Sequence, residues 1–200
     1  MRGVSIHRGT KAILERYYNI FIKNAFFWLS DFFAKKLATT KWAGGEIMKK
    51  VLVAYFSLSG HTENMAQYIS EGIRFTGQEA VMRKISEFKS AGDLNGYDGY
   101  IFGSPTYFQD VADPMKTFLF LAKKAELKGK LAGAFGPYTH DVGYKPSSNG
   151  AVIVFDTMQY VYKMVPFELG ALKLTESLVE TTEGMRACQD YGKLFGEKLR

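Results

Sequence analysis

The sequence predicts an open α/β fold: a doubly wound, five-stranded parallel sheet in the order 2-1-3-4-5, with helices on both faces. Three observations predict it. Short apolar runs alternate with amphipathic helical stretches from residue 50 onward. The first of these runs, Lys50–Phe56 (KVLVAYF), is apolar without interruption, as a strand buried on both faces should be. The segments that follow the first, third and fourth runs are dense in glycine, hydroxyl and aromatic residues. Those are the carboxyl ends of strands, where ligands bind in open α/β sheets.

Each element follows in order. After Lys50–Phe56, Ser57–His61 is a polar turn, and Thr62–Phe75 is a helix with Met65, Ala66, Ile69 and Ile73 on one face. Glu79–Ile85 is half polar and suits a sheet edge. Gly99–Phe102 continues into Gly103 as a third strand. Pro114–Leu127 is a helix with proline in its first turn. Lys130–Phe135 is the fourth strand, Asn149–Met164 is helical, and Leu172–Val179 is a broken fifth strand. Thr182–Leu199 is a final amphipathic helix, capped by Thr181 or Thr182, with Glu183 favouring its N-terminus.

Composition sets bounds. An apolar fraction of 46% supports a sizeable core. The net charge of +6 is uneven: residues 1–47 carry eight Lys/Arg against three Asp/Glu, and residues 48–200 carry eighteen against seventeen. The basic character therefore belongs to the first 47 residues, and a nucleic-acid partner is not expected. A single cysteine, Cys188, excludes an intramolecular disulfide and suits the reducing cytoplasm. In the final helix it reads as a small buried apolar residue. The three histidines, His7, His61 and His140, have no metal-ligand spacing, and no Walker GK[ST], HExxH, CxxC or GxGxxG occurs. No metal is expected.

Two domains of unlike character result: a basic, aromatic-rich extension over 1–47 and the α/β domain over 48–200. Within the extension, Ile13–Phe33 is aromatic-dense with polar residues at helical spacing, but Lys23 and Asp31 break it as a membrane span. Three readings compete: a membrane-surface anchor, a helix packed on the domain or a partner, or a segment outside the natural protein. The third is favoured. Met48 is followed directly by the first strand, and Gly44-Gly45-Glu46 can be encoded by a purine-rich run resembling a bacterial ribosome-binding site. This hypothesis expects a mature N-terminus at Met48. Peptides from residues 1–47 at full abundance in native cells would overturn it. Membrane contact is expected only if that segment is translated.

Three loops carry the chemistry. In Ser57-Leu58-Ser59-Gly60-His61-Thr62-Glu63, three hydroxyls and the turn amides converge at a helix N-terminus, and Gly60 permits close approach. With no Lys or Arg in the loop, the arrangement suits a terminal phosphate held by neutral donors. A plain N-cap by Ser59 or Thr62 would need fewer hydroxyls. The second loop runs from Gly103 to Pro114. The strand ends at Gly103-Ser104-Pro105, backbone amides and Thr106 can hydrogen-bond the polar edge of a planar ring, and Tyr107 or Phe108 is placed to cover its face. Either aromatic alone could equally pack on the next helix. In the third loop, Phe135–Tyr144, Gly136, Tyr138, His140 and Tyr144 could meet the ring's other side, although a lone loop histidine such as His140 is more often solvated.

Together these loops resemble the flavodoxin family. S-L-S-G-H-T (57–62) resembles the family's phosphate loop, [ST]-x-[ST]-G-x-T. IFGSPTYFQDVADPMKTFL resembles its second flavin loop, and KGKLAGAFGPY the fourth strand and third loop of the flavodoxin modules of flavodiiron-type proteins. The chain's end, LTESLVETTEGMRACQDYGKLFGEKL, is similar to the last strand and helix of those modules. The resemblance covers Lys49 to Leu199. It implies FMN as cofactor, with Ser57, Ser59, Gly60, His61 and Thr62 around the phosphate. Ser104, Pro105, Thr106, Tyr107, Phe108, Gly136, Tyr138 and His140 would then border the isoalloxazine. Two features depart from it: carrier flavodoxins are typically strongly acidic, whereas residues 48–200 are near neutral, and His140–Asn149 is unlike the usual short third loop.

The function implied is electron transfer through FMN to a partner protein. The alternative is an NAD(P)H-dependent quinone or flavin reductase of the same fold, with His140 or Tyr144 orienting the substrate. No catalytic residue is assigned. A non-flavin binding module and a serine hydrolase rank below both, since no G-x-S-x-G elbow is present.

Overall fold

The computed structural model describes residues 48–139 and 149–200. The N-terminal extension and the loop residues His140 and Tyr144 lie outside that range.

Five parallel strands form the sheet: β1 (Lys50–Tyr55), β2 (Glu79–Lys84), β3 (Gly99–Gly103), β6 (Leu131–Tyr138) and β7 (Val165–Thr175). Their order is β2-β1-β3-β6-β7, the 2-1-3-4-5 arrangement expected. Two short strands, β4 (Thr106–Tyr107) and β5 (Asp110–Val111), pair antiparallel as a separate hairpin within the second loop. The helices are α1 (His61–Phe75), α2 (Asp113–Ala122), α3 (Gly150–Asp156), α4 (Glu176–Val179) and α5 (Thr182–Lys198).

Strand alternation divides the core. Val51, Val53 and Tyr55 point to the face covered by α1 and α5, where they meet Met65, Ile69, Tyr191 and Phe195. Leu52 and Ala54 point to the other face, with Tyr100, Phe102, Met115, Phe118 and Val154. Tilted and edge-on aromatic contacts knit both layers: Phe102 with Phe118 at 5.1 Å, and Phe167 with Tyr191 and Phe195 at 5.2 Å each. Cys188 is fully buried in the layer under α1 and α5, and burial pushes its thiol up to about 12. It stays protonated at neutral pH and acts as packing.

Several boundaries depart from the sequence reading. The fifth strand begins at Val165, not Leu172, and ends at Thr175. Pro166 and Gly170 both lie inside it. β7 pairs only with β6, so a missing N–H at Pro166 has an open edge to face. Gly170, at φ 67°, lies where the β6–β7 register shifts between Ala132 and Ala134. Glu176–Val179 is a helical turn instead of strand, and Thr175 Oγ1 caps it by accepting from the Leu178 amide. The second helix stops at Ala122, after which Leu127 returns to the core. The third is α-helical only to Asp156. It widens to a π turn over Thr157–Val161, closed by the Tyr162 amide on the Thr157 carbonyl.

Candidate flavin site

The chain leaves β1 for β2 on one side and returns past β1 to β3 on the other. The loops after β1 and β3 therefore diverge at the sheet's switch point.

The first loop opens α1 with Gly60 as its N-cap at φ 96°, and no side chain caps the helix. Neither Ser59 nor Thr62 plays the capping role. Ser57 Oγ accepts from the Gly60 amide at 3.1 Å and closes the turn. The first intrahelical bond runs from the Asn64 amide to the Gly60 carbonyl. The amides of His61, Thr62 and Glu63 thus precede the hydrogen-bonded ladder, an arrangement that favours an anion.

His61 crosses this turn. Its Nδ1 meets Ser59 Oγ at 2.9 Å, and its Nε2 meets Glu180 Oε1 at 3.0 Å. Glu176 Oε1 lies 3.8 Å from Nδ1. Both carboxylates come from the α4 region, more than a hundred residues away in sequence. Sequence reasoning missed them because it assigned Glu176 to a strand. A third carboxylate, Glu63, accepts from the buried Tyr55 hydroxyl at 2.7 Å and pairs with Lys84 at 3.2 Å. The Tyr55 hydrogen bond, with help from Lys84, holds the Glu63 carboxyl below its ordinary range, and burial raises the Tyr55 hydroxyl.

The second loop is pinned from beneath. Ser104 is fully buried: its amide donates to the Phe135 carbonyl at 3.1 Å. Its hydroxyl donates to the Pro105 carbonyl and accepts from the Ala112 amide. The Ser104 side chain is therefore committed to closing the loop. Thr106 Oγ1 accepts from the Gly150 amide at 3.0 Å and ties the loop to the start of α3. Above these anchors stands the β4–β5 hairpin. Its two-residue tip, Phe108 and Gln109, has φ of 49° and 63°, the signature of a type I′ turn, which glycine and asparagine normally occupy. Phe108 is completely exposed there, whereas Tyr107 is half-buried. Burial, and then Glu176, raise the Tyr107 hydroxyl. Asp110 meets Lys116 at 2.6 Å, and that hydrogen bond holds its carboxyl low.

The third loop begins later than its sequence suggests, because β6 continues through Gly136 and Pro137 to Tyr138. Gly136 packs directly under the second loop: a Cβ there would collide with the Ser104 carbonyl oxygen. Tyr138, half-buried, stands at the strand's exit. His140 lies outside the described residues.

The predicted residues that are described thus stand at the carboxyl end of the sheet. Glu176 links the first two loops, since it faces both His61 and Tyr107. The donor set fits an FMN phosphate at the first loop: helix amides ahead of the ladder, with hydroxyls at 57, 59 and 62. Exposed aromatic surface at Phe108, beside Tyr107, fits a planar ring. Among the described residues, no group of three His, Cys, Asp or Glu could hold a metal, and no helix is long and apolar enough to cross a membrane.

Comparison with known proteins agrees with the fold. The flavodoxin family model matches residues 53–159. Flavodoxin 1 from Bacillus cereus is 30% identical, with 74% of this chain and 97% of that one covered and a TM-score of 0.62. A flavodoxin from the domain Archaea matches at 21% identity over 75% of this chain and 98% of its own, with a TM-score of 0.63. The flavodiiron protein from Giardia intestinalis matches at 23% identity and a TM-score of 0.63, over 76% of this chain but only 36% of its own length. With its sheet order, its first two loops at the switch point and this family match, the chain belongs to the flavodoxin family.

Proposed function

We propose that the protein binds FMN across the three loops and passes electrons through it to a partner protein. The observation that carries this reading is the uncapped N-terminus of α1, with Ser57, Ser59 and Thr62 in the turn that opens it, at the same end of the sheet as the hairpin that presents Phe108. When bound, FMN supplies the electron chemistry, and the chain's residues bind it, orient it and set its surroundings. The Gly60 turn and the α1 amides hold the phosphate with neutral donors. The carboxylates of Glu63, Glu176 and Glu180 on the same rim oppose an anion, and this is offset where Glu63 is paired with Lys84 and Glu180 with His61, which bridges it to Ser59. Tyr107 and Phe108 cover the ring, and the exposed Phe108 edge leaves a route for a partner to approach.

The test is a visible and fluorescence titration of the full chain with FMN and with riboflavin. FMN is expected to be retained through gel filtration and to bind at least about tenfold more tightly than riboflavin, since charge-assisted hydrogen bonds to phosphate contribute about 1.5–3 kcal/mol each. A folded protein that retains neither flavin overturns the assignment. Equal affinity for both overturns the phosphate role of the first loop. Rapid NADPH oxidation with a quinone in the same cuvette would favour the reductase reading over the carrier.

A further inference from the structure

A second surface lies at the opposite pole, at the amino ends of the strands. Lys123 and Lys124 follow the last turn of α2, Lys128 and Lys130 flank the turn into β6, and Lys163 follows the π turn into β7. The backbone holds these pieces together: the Gly129 amide bonds the Lys163 carbonyl at 3.0 Å, and the Val165 amide bonds the Lys130 carbonyl at 2.9 Å. The Tyr162 hydroxyl donates to the Leu119 carbonyl at 2.6 Å and fastens the π turn to α2. Lys123, Lys128, Lys130 and Val161 border one cavity of 560 Å³, with Glu126 as its one carboxylate among the described residues.

Among the described residues, none of the five lysines at this corner has an ion pair, whereas Lys49, Lys50, Lys84, Lys116 and Lys198 each meet a carboxylate within 4 Å; Lys89, Lys173 and Lys193 also lack an ion pair but are scattered singly along the chain. Five like charges gathered around a single carboxylate, Glu126, leave a net positive patch that attracts a polyanion. Large apolar side chains are exposed among them. Phe120 is 74% exposed, Tyr160 62% and Val161 52%. Lys123 borders both Phe120 and Val161.

Lysines interleaved with exposed aromatics are the composition of surfaces that settle at lipid headgroups. A redox partner would be served poorly here. The flavin loops lie at the far ends of the strands, about 23 Å away along β6 at 3.3 Å per residue. We propose that this corner docks the domain on an anionic phospholipid surface and holds the flavin loops facing away from the bilayer. The inference does not depend on flavin binding.

The experiment is co-sedimentation of the full chain with phosphatidylcholine vesicles, with and without phosphatidylglycerol. Binding is expected only to the anionic vesicles, and to weaken steeply as salt rises. The triple variant Lys123→Gln/Lys128→Gln/Lys163→Gln is expected to lose on the order of 100-fold in partitioning, about fivefold per lysine. A charge-matched control, Lys89→Gln/Arg186→Gln/Lys193→Gln, is expected to lose far less. Far-ultraviolet circular dichroism monitors folding of each variant. Equal loss in both triples means that net charge alone acts, and overturns the proposal. Undiminished binding in the corner triple, as when residues 1–47 carry the attachment, overturns it too. So does binding of a soluble polyglutamate peptide without binding to vesicles, which would mark the corner as an acidic-protein site.

Discussion

Gly136→Ala is expected to destabilise the domain by about 3 kcal/mol and to abolish tight FMN binding. The new Cβ would meet the Ser104 carbonyl oxygen, with the Ala151 Cβ close behind. Ser104 cannot yield cheaply. Its amide is bonded to Phe135, and its hydroxyl to Pro105 and Ala112, in a fully buried position. Overpacking against fixed backbone costs about 1–3 kcal/mol, sometimes more, and a forced shift here also breaks buried hydrogen bonds. For a domain of this size the change in Tm is roughly 6–12 °C. Because the second loop rides on Ser104, displacement carries Thr106 and Tyr107 with it, so flavin affinity falls together with stability. Gly96→Ala supplies the comparison. Gly96 is at φ 88° with open space around it, so its cost is only the left-handed backbone penalty of about 1–2 kcal/mol, and FMN affinity should not move. Thermal melts and FMN titrations of both variants check this. A Gly136→Ala protein as stable as Gly96→Ala, with unchanged affinity, would show that the second loop is not seated through Gly136.

Much of this architecture is legible in local sequence. KVLVAY announces a strand buried on both faces, and α1 follows from the spacing of Met65, Ala66, Ile69 and Ile73; both lie where expected. The order of the sheet follows from the alternation of strand and helix together with the switch-point rule. The parts that were not legible depend on contacts distant in sequence. β7 could not be read through Pro166 and Gly170 without knowing that it lies at an edge and carries a register shift. The β4–β5 hairpin is hidden because its tip, Phe108-Gln109, lacks the glycine or asparagine that normally signals a type I′ turn. A non-glycine pair held at positive φ is a local cost retained at a place where a ligand is expected. The partners of His61 had no local signal at all. Glu176 and Glu180 reach it only because Thr175 turns the chain into a helix at the end of β7. Ser104, a candidate flavin contact by residue type and position, also has a role that only the fold reveals: its hydroxyl closes the loop internally.

Thr62→Val combined with Ser57→Ala is expected to weaken FMN binding on the order of 100-fold while leaving riboflavin affinity within about twofold. The two residues reach the same point by different routes. Ser57 ends the strand side of the turn and Thr62 occupies the first turn of α1, so both hydroxyls border the helix amides that precede the ladder. Thr62 is 1% exposed, and since its hydroxyl bonds no other described residue and no buried side-chain oxygen among the described residues is unpartnered, that oxygen is the part of the side chain that reaches the surface of the turn. Replacing it with isosteric valine breaks no hydrogen bond to a described residue and so costs the flavin-free protein little. Ser57→Ala leaves the Gly60 amide without its acceptor and should lower Tm modestly. Stability and affinity therefore separate: Thr62→Val alone should bind FMN about tenfold more weakly with a Tm close to that of the parent. A purely structural role for Thr62 predicts the reverse pattern, a lower Tm with FMN and riboflavin affected alike. The same titrations distinguish the two, because riboflavin lacks only the phosphate. Loss confined to FMN places the phosphate at the opening of α1, whereas equal loss for both flavins would mean that the turn shapes the site without contacting the anion.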